Sequence, residues 1–108
     1  MCSLDASRII KQNLLFNTMY SAINLNNLDD VSKVLYDGFD INTPDRWGNR
    51  VLHFAASMGR MEIVKLLIAN GADVTLKTVH PALTAKNLAF SRGYHDVANY
   101  LEEIENKI

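Results

Sequence analysis

The chain has 108 residues, of which 48% are hydrophobic and 21% charged, and its formal net charge is −1. This length provides one domain with an adequate core and excludes a two-domain enzyme. The near-neutral charge gives no general attraction to nucleic acid or to an anionic membrane.

Cysteine content and hydropathy predict the compartment. Cys2 is the only cysteine, which excludes an internal disulfide and suits a reducing environment. The longest early apolar runs, Ile9-Ile10 and Leu14-Leu15-Phe16, are too short for a secretory leader or a membrane span. We therefore expect a cytoplasmic protein without a membrane span, with the nucleus as the alternative location.

The first segment, residues 1–17, predicts an extra N-terminal helix. Ser3 or Asp5 could cap a helix from about Ala6 to Phe16, with a broad apolar face formed by Ile9, Ile10, Leu14 and Leu15. We interpret this helix as a cover for the structure that follows it. The alternative is a docking or dimerisation helix, and a bare apolar face would favour that alternative.

Residues 45–77 read as a turn followed by two helices. Asp45 and Gly48 suit the first and fourth places of a tight turn. A short helix from Val51 to Met58 follows, and after the break at Gly59 a second helix carries apolar residues at spacings of three and four. Gly71 supplies a left-handed cap.

The same unit recurs on both sides. At a shift of 33 residues Gly38-Phe39-Asp40-Ile41-Asn42 matches Gly71-Ala72-Asp73-Val74-Thr75, and at a shift of 34 Ala89-Phe90-Ser91-Arg92-Gly93 matches Ala55-Ala56-Ser57-Met58-Gly59. Three copies at a fixed period predict stacked repeats at about residues 18–44, 45–77 and 78–108, because one unit cannot bury its apolar face alone.

The middle unit, with Val51-Leu52-His53-Phe54-Ala55-Ala56 and Gly71-Ala72-Asp73-Val74, resembles an ankyrin repeat. The resemblance covers residues 18–108. It implies an all-α ankyrin-repeat solenoid of three helix-turn-helix repeats with short hairpin fingers, here preceded by the extra helix of residues 1–17. Ankyrin proteins are usually protein-binding modules.

Two departures from the family pattern lead to expectations. Arg50-Val51 replaces the family's Thr-Pro, so the substitutions Arg50→Thr and Val51→Pro should raise the melting temperature. The third finger, 78–82, lacks glycine and has one extra residue, so we expect it to be irregular. Glu102 and Glu103 predict a polar outer face on the last repeat, as in a free-standing array.

Catalysis, cofactors and metals are not expected. His53 and Ser57 are four residues apart on a helix and could on paper be a base and a nucleophile. The resemblance instead implies a structural role for His53, whose ring ties neighbouring turns together. His80 and His95 have no partner at a metal-ligand spacing, and there is no phosphate-binding glycine loop.

The resemblance places the partner site on the concave surface of finger tips and first helices. Matching positions one by one selects the partner-binding candidates Asn24, Leu25, Arg46, Trp47, Asn49, Ser57, Met58, Lys77, His80, Ser91 and Arg92. Trp47, the only tryptophan, is the expected interface anchor, because Trp and Arg are enriched at such positions. The alternative is that Trp47 folds back over the adjoining finger as packing. Met58 either makes an adaptable contact on the concave face or only covers the helix of the next repeat.

Charge adds a hypothesis about the partner. Between Asp45 and Arg92 there are seven basic residues and three acidic ones. We therefore expect a protein partner with acidic residues around an apolar contact, and no nucleic acid. The chain would act as an adaptor or scaffold, or as an inhibitor that masks a kinase, a transcription factor or a cytoskeletal protein. We expect a monomer, with dimerisation through the N-terminal helix as the alternative.

Overall fold

The computed structural model describes residues 2–45, 47–79 and 81–107, with side chains from residue 9 onward. The regular structure in these ranges is entirely helical. The helices are α1 (Cys2–Asn24), α2 (Leu28–Tyr36), α3 (Val51–Ser57), α4 (Met61–Ala69), α5 (Ala85–Ser91) and α6 (His95–Asn106). They form the pairs α1–α2, α3–α4 and α5–α6, and the first helices of successive pairs pack on one another, as do the second helices. This confirms the predicted all-α stack of three units.

Successive helix pairs end in the same way. At the end of α4 the Ala72 N–H donates to the Leu67 carbonyl over 3.0 Å, and Gly71 has a φ of +98°. The end of α2 repeats this turn at Gly38, with a φ of +97°. A left-handed residue is needed for this turn to close on the last helical carbonyls, and glycine adopts it without steric cost.

The first helices end with a second shared turn. Gly59 and Gly93 follow α3 and α5 with φ values of +70° and +84°. After α1 the equivalent residue is Asn26, with a φ of +55°, and the Asn27 N–H donates to the Ala22 carbonyl over 2.9 Å. Asparagine is among the side-chain-bearing residues that best tolerate this conformation, so the repeat is preserved without the glycine.

The core lies between the helix pairs, and α3 is at its centre. Val51, Leu52, Ala55 and Ala56 are all buried, and α3 contacts both α1 and α5. The two alanines leave room for close helix approach, as the sequence predicted. At the far end of the stack Glu102 and Glu103 are exposed, in line with the polar end expected there.

The second finger is a tight hairpin turn. The Asp45 N–H donates to the Asn49 carbonyl over 2.9 Å, and the Gly48 N–H donates to the Asp45 carbonyl over 3.1 Å. Asp45 Oδ1 also accepts the N–H groups of Trp47 and Asn49 at 2.8 and 2.9 Å. The aspartate therefore organises the whole loop, as an Asx turn does.

The third finger is longer by one residue. Its closing bond joins the Thr78 N–H to the Leu83 carbonyl over 2.9 Å, five positions apart instead of four. Thr78 Oγ1 also accepts the Leu83 N–H at 3.0 Å. This agrees with the extra residue noted in the sequence.

The N-terminal helix differs from its expected bounds. A helix from Ala6 to Phe16 was predicted, but α1 continues without interruption to Asn24. The expected break was wrong because α1 contains no glycine or proline that would stop a helix. The predicted division of the chain at residue 17 thus falls inside α1.

Side-chain contacts attach α1 to the segment that directly follows α2, its partner in the first helix pair. Gln12 Nε2 donates to the Gly38 carbonyl over 2.9 Å, and Gln12 Oε1 accepts the Asp40 N–H at 2.9 Å. The Phe16 ring meets the Phe39 ring edge-on at 5.4 Å. These contacts cover the end of α2, which is the covering role proposed for this segment.

Candidate functional site

A groove of about 220 Å³ opens between the first helices of the three pairs. All three pairs contribute to its lining, which consists of Tyr20, Asn49, His53, Phe54, Ser57, Leu88 and Arg92. Three of the predicted partner-binding residues, Asn49, Ser57 and Arg92, therefore lie together on one groove although they come from two repeats.

Two aromatic rings form one wall of the groove. The rings of Tyr20 and Phe54 meet edge to face, with centroids 4.7 Å apart. The Tyr20 hydroxyl turns away and donates to Asp45 Oδ2 over 3.1 Å. Burial, the charge of Asp45 and this hydrogen bond raise the pKa of Tyr20, so its hydroxyl stays neutral and fixed.

His53 forms part of the floor and is only 3% exposed. Its Nδ1 accepts the Arg50 N–H at 2.9 Å, so the proton lies on Nε2, which donates to the Leu76 carbonyl over 3.0 Å. Burial lowers the pKa of His53 and favours the neutral ring. The structural role implied by the resemblance is confirmed, since the ring ties the start of α3 to the segment before the third finger.

Ser57 does not form a base–nucleophile pair with His53. The Ser57 hydroxyl donates to the Phe54 carbonyl over 2.9 Å, while both ring nitrogens of His53 are engaged elsewhere. Ser57 therefore presents only oxygen lone pairs to the groove. Within the described residues, no three His, Cys, Asp or Glu side chains come close enough together to hold a metal ion.

The finger residues project beside the groove. Trp47 is 63% exposed, so the adjoining finger covers only a minor part of its side chain. Its carbonyl accepts the Val79 N–H at 3.1 Å, which fixes the second finger against the third. Arg46 and His80, also predicted to bind the partner, lie outside the described residues.

The remaining predicted partner-binding residues do not line the groove. Lys77, Asn24 and Leu25 are exposed, as is Ser91, whose hydroxyl donates to the Leu88 carbonyl over 3.0 Å. Met58 is half-buried.

Sequence reasoning missed Tyr20, Phe54 and Leu88 as groove residues. Tyr20 lies one period of 33 residues before His53, and Leu88 lies 34 residues after Phe54. These large side chains at equivalent first-helix positions were the available signal, because equivalent positions of stacked repeats become neighbours.

The structure divides the basic residues into two groups. Arg50 donates to the carbonyls of Asn42, Gly48 and Lys77 over 3.3, 2.9 and 3.2 Å, so this side chain links three loops. Arg60 binds the end of α1 through the carbonyls of Ile23 and Asn24, at 3.3 and 2.8 Å. Both serve the fold by satisfying carbonyls that would otherwise lack donors.

Lysine pairs account for two more positive charges. Lys65 lies 3.9 Å from Glu62, and Lys86 lies 3.8 Å from Glu105. Among the described basic residues between Asp45 and Arg92, only Lys77 and Arg92 have side chains without an acidic or carbonyl partner in the described part of the chain. In the described part of this stretch, the basic side chains left for a ligand are thus Lys77, directly before the third finger, and Arg92, directly after α5.

Helix α1 also carries an exposed apolar patch. Ile9, Ile10 and Leu14 are exposed over 58%, 60% and 62% of their side chains. This is the bare face that was expected to favour a docking role, and it lies on the same helix that covers the end of α2. Of the helices in the described ranges, none has the length and apolar character needed to cross a membrane.

Comparison with known proteins agrees with these observations. A family model described as three copies of ankyrin repeats matches residues 18–108. The chain is 38% identical over 71 residues to ankyrin repeat domain-containing protein 37 of Homo sapiens, a match covering 66% of this chain and 44% of that protein. The Xenopus tropicalis protein of the same name is 41% identical over 73 residues, with 66% and 43% covered.

A shorter match lies within a much longer protein. Alpha-latrotoxin-Lg1a of Latrodectus geometricus is 44% identical over 55 residues, which are 51% of this chain and 4% of the toxin. The chain thus spans less than half the length of these relatives. The three helix pairs, their repeated end turns and the match over residues 18–108 together show that this chain belongs to the ankyrin-repeat family.

Proposed function

We propose that the chain is a non-catalytic protein-binding module whose partner docks on the concave surface of fingers and first helices. Ankyrin repeats are in general protein–protein interaction modules, and the groove supports this surface in particular. It collects side chains from all three repeats, including the predicted contacts Asn49, Ser57 and Arg92. A site assembled by stacking, in which polar side chains lie beside an aromatic wall, can recognise a partner through both polar and apolar contacts.

Trp47 is proposed as the anchor of the interface. It stands beside this groove on a turn whose backbone is held by Asp45 and Val79. Most of the indole is solvent-exposed, and a rigidly mounted aromatic side chain loses little entropy on binding. Met58, half-buried on the same repeat, would contribute an adaptable contact.

An acidic partner surface follows from the charges that the fold does not use. Lys77 and Arg92 are exposed, whereas Arg50 and Arg60 are held by backbone carbonyls. Opposite charges on the partner would accelerate association, and this acceleration would weaken with salt. An association rate that does not change between low and high salt would contradict the acidic partner.

The test is affinity capture with matched variants. Cytoplasmic extract of the source cell is the first material, because the single cysteine predicts a reducing compartment. Trp47→Ala should lose the captured protein, whereas Tyr36→Ala, which removes another exposed aromatic residue on α2, should retain it. Both variants should unfold at the denaturant concentration of the wild type. Equal capture by all three proteins would refute the concave site.

The second candidate function is that of an adaptor with two surfaces, as opposed to an inhibitor that masks one partner. The exposed residues Ile10 and Leu14 on α1 favour it. Deleting residues 1–17 would be a poor test, since it cuts α1 and removes the two hydrogen bonds of Gln12. The double variant Ile10→Gln/Leu14→Gln changes only exposed side chains. An adaptor would lose one of two captured partners, while a masking inhibitor would keep its single partner.

The same double variant tests the oligomeric state. We propose a monomer, and sedimentation equilibrium should give the mass of one chain for both proteins. A dimer that dissociates in Ile10→Gln/Leu14→Gln would instead assign the α1 patch to self-association.

A further inference from the structure

The size of the groove limits what can enter it. Its volume is about 220 Å³. Pockets for drug-sized ligands and cofactors hold roughly 300–1,000 Å³, so the groove is too small for that class. At about 30 Å³ per water molecule it holds on the order of seven waters, the room needed for one large side chain. The groove is open to solvent, so one side chain can enter it from a segment that continues outside.

The walls of the groove offer carbon surface. The rings of Tyr20 and Phe54 stand at 86° to each other, and Leu88 lines the same space. The polar atoms of Tyr20 and His53 are already engaged, with Asp45 and with the Arg50 and Leu76 backbone. An apolar side chain would pack on this carbon surface, and polar groups of the same segment would meet Asn49, Ser57 or Arg92, which line the same groove.

The rim carries two polar groups that the fold does not use. In the described part of the chain, neither the Asn49 carboxamide nor the Arg92 guanidinium has a hydrogen-bond partner. The nearby carboxylate of Asp45 is occupied by two backbone N–H groups and the Tyr20 hydroxyl. A guanidinium fork pairs best with a carboxylate, and a carboxamide can bind both groups of a peptide bond.

We propose that the groove binds an acidic peptide segment of the partner, with a leucine-sized apolar side chain inside and a neighbouring side-chain carboxylate on Arg92. Asn49 would hold the peptide backbone between them. This inference rests on the proposed protein-binding function, and it specifies the chemistry of the docking segment. Charge complementarity with the exposed guanidinium of Arg92 favours an acidic segment over a neutral or basic one.

Small defined peptides test the groove without the natural partner. The probes are N-acetyl-leucyl-glutamate amide, the matching leucyl-glutamine amide, the alanyl-glutamate amide and N-acetyl-leucine with a free carboxylate. Each is titrated into the ¹⁵N-labelled full chain at low salt, and the backbone amide shifts are followed. Leu88, Asn49 and Ser57 report on the groove, and Lys33 on the distant helix α2 serves as the reference position.

The leucyl-glutamate probe should shift the groove amides with a dissociation constant on the order of 1–10 mM, as expected for so small a ligand. The glutamine analogue should bind about two- to fivefold more weakly, the usual range for an exposed ion pair, and the alanine analogue should leave the groove amides unshifted. No shift at 20 mM probe, or equal binding of the glutamate and glutamine peptides, would overturn the proposal. Tighter binding of N-acetyl-leucine would replace it with a chain-terminal carboxylate.

Two variants separate the charge of Arg92 from the general charge of the surface. Arg92→Gln should abolish the difference between the glutamate and glutamine peptides. Lys77→Gln removes the second basic side chain without a described partner between Asp45 and Arg92, and it should leave that difference unchanged because Lys77 does not line the groove. If both variants reduce the difference equally, the carboxylate senses only the overall field and the assignment to Arg92 is wrong.

Failure of this inference is distinguishable from failure of the proposed function. A captured partner that is lost with Trp47→Ala but retained with Arg92→Gln would keep the concave surface and refute the acidic segment in the groove. The opposite outcome is also possible to detect. Peptide-specific shifts at the groove, with no captured protein that is lost in Trp47→Ala, would keep the acidic segment in the groove and refute the interface anchored by Trp47.

Discussion

Arg50 is predicted to stabilise the array by joining three loops. Its guanidinium reaches the carbonyls of Asn42, Gly48 and Lys77. An ordinary hydrogen bond contributes a net 0.5–1.5 kcal/mol or so. Two of the three bonds share one nitrogen, and two are 3.2 Å or longer, so we reduce the sum to about 1–3 kcal/mol.

Arg50→Met removes these bonds and keeps most of the aliphatic stem. The unfolding entropy of a chain of this length is about 0.23 kcal/mol per kelvin, so the melting temperature should fall by about 4–13 °C. Arg92→Met is the matched control, since it removes an exposed guanidinium without a described partner and should shift the melting temperature by about 2 °C or less. A value for Arg50→Met within 2 °C of the wild type would refute the reasoning.

The same contacts reverse an expectation drawn from the sequence. Replacing Arg50-Val51 by Thr-Pro was expected to raise the melting temperature. A threonine cap adds about 1 kcal/mol and a proline about 0.4–1 kcal/mol, which only offsets the loss of the three arginine bonds. Arg50→Thr/Val51→Pro should therefore melt at or below the wild-type temperature, and calorimetry showing a rise above about 4 °C would count against the structural role of Arg50.

Three further substitutions or conditions test the fold. Asn26→Gly should raise stability in urea unfolding by about 0.5–1 kcal/mol and Asn26→Ala should lower it by about 1–2 kcal/mol, because of the φ of +55°; equal effects would contradict this. The pKa of His53 is lowered in the folded state, so its contribution to the free energy of unfolding should be fully present above about pH 6.5. Below that pH the free energy of unfolding should fall by up to about 1.4 kcal/mol per pH unit, and His53→Gln should remove this slope. Gly59→Ala places a Cβ 2.5 Å from the Tyr94 ring and should strongly destabilise the folded state. Part of this loss should be recovered in Gly59→Ala/Tyr94→Ala, whereas no recovery would mean that backbone strain is the entire cost.

The fold was predictable because residues within each repeat mark where its helices end. Gly38 and Gly71 mark the same turn one period apart, and Ala55 and Ala56 mark the close contact between helices. The N-terminal helix was mispredicted because its end depends on Asn26, and asparagine adopts the left-handed conformation at only some positions. The sequence alone does not say that this asparagine takes the place of a glycine.

The groove was predictable only in part, since it exists only after stacking. Asn49, Ser57 and Arg92 follow from family positions taken one repeat at a time. The wall formed by Tyr20 and Phe54 needs the relative placement of two repeats. Charge was the least predictable property, because a basic residue such as Arg60 is available to a partner or consumed by the fold depending on carbonyls that are 36 and 37 residues distant.

Helix α1 relates the groove to the N-terminal patch, and this relation bears on the choice between masking and adapting. Eleven residues separate Ile9 from Tyr20, which places Ile9 about 16 Å along the helix and about 20° from the same face. Ile9 therefore extends the concave wall, whereas Leu14 lies about 120° away from the Tyr20 direction on the same helix. A masking partner that follows the concave wall should be weakened by Ile9→Gln and unaffected by Leu14→Gln. If Leu14→Gln removes a second protein and keeps the first, whereas Ile9→Gln weakens only the first, α1 carries two independent surfaces and the adaptor function is correct.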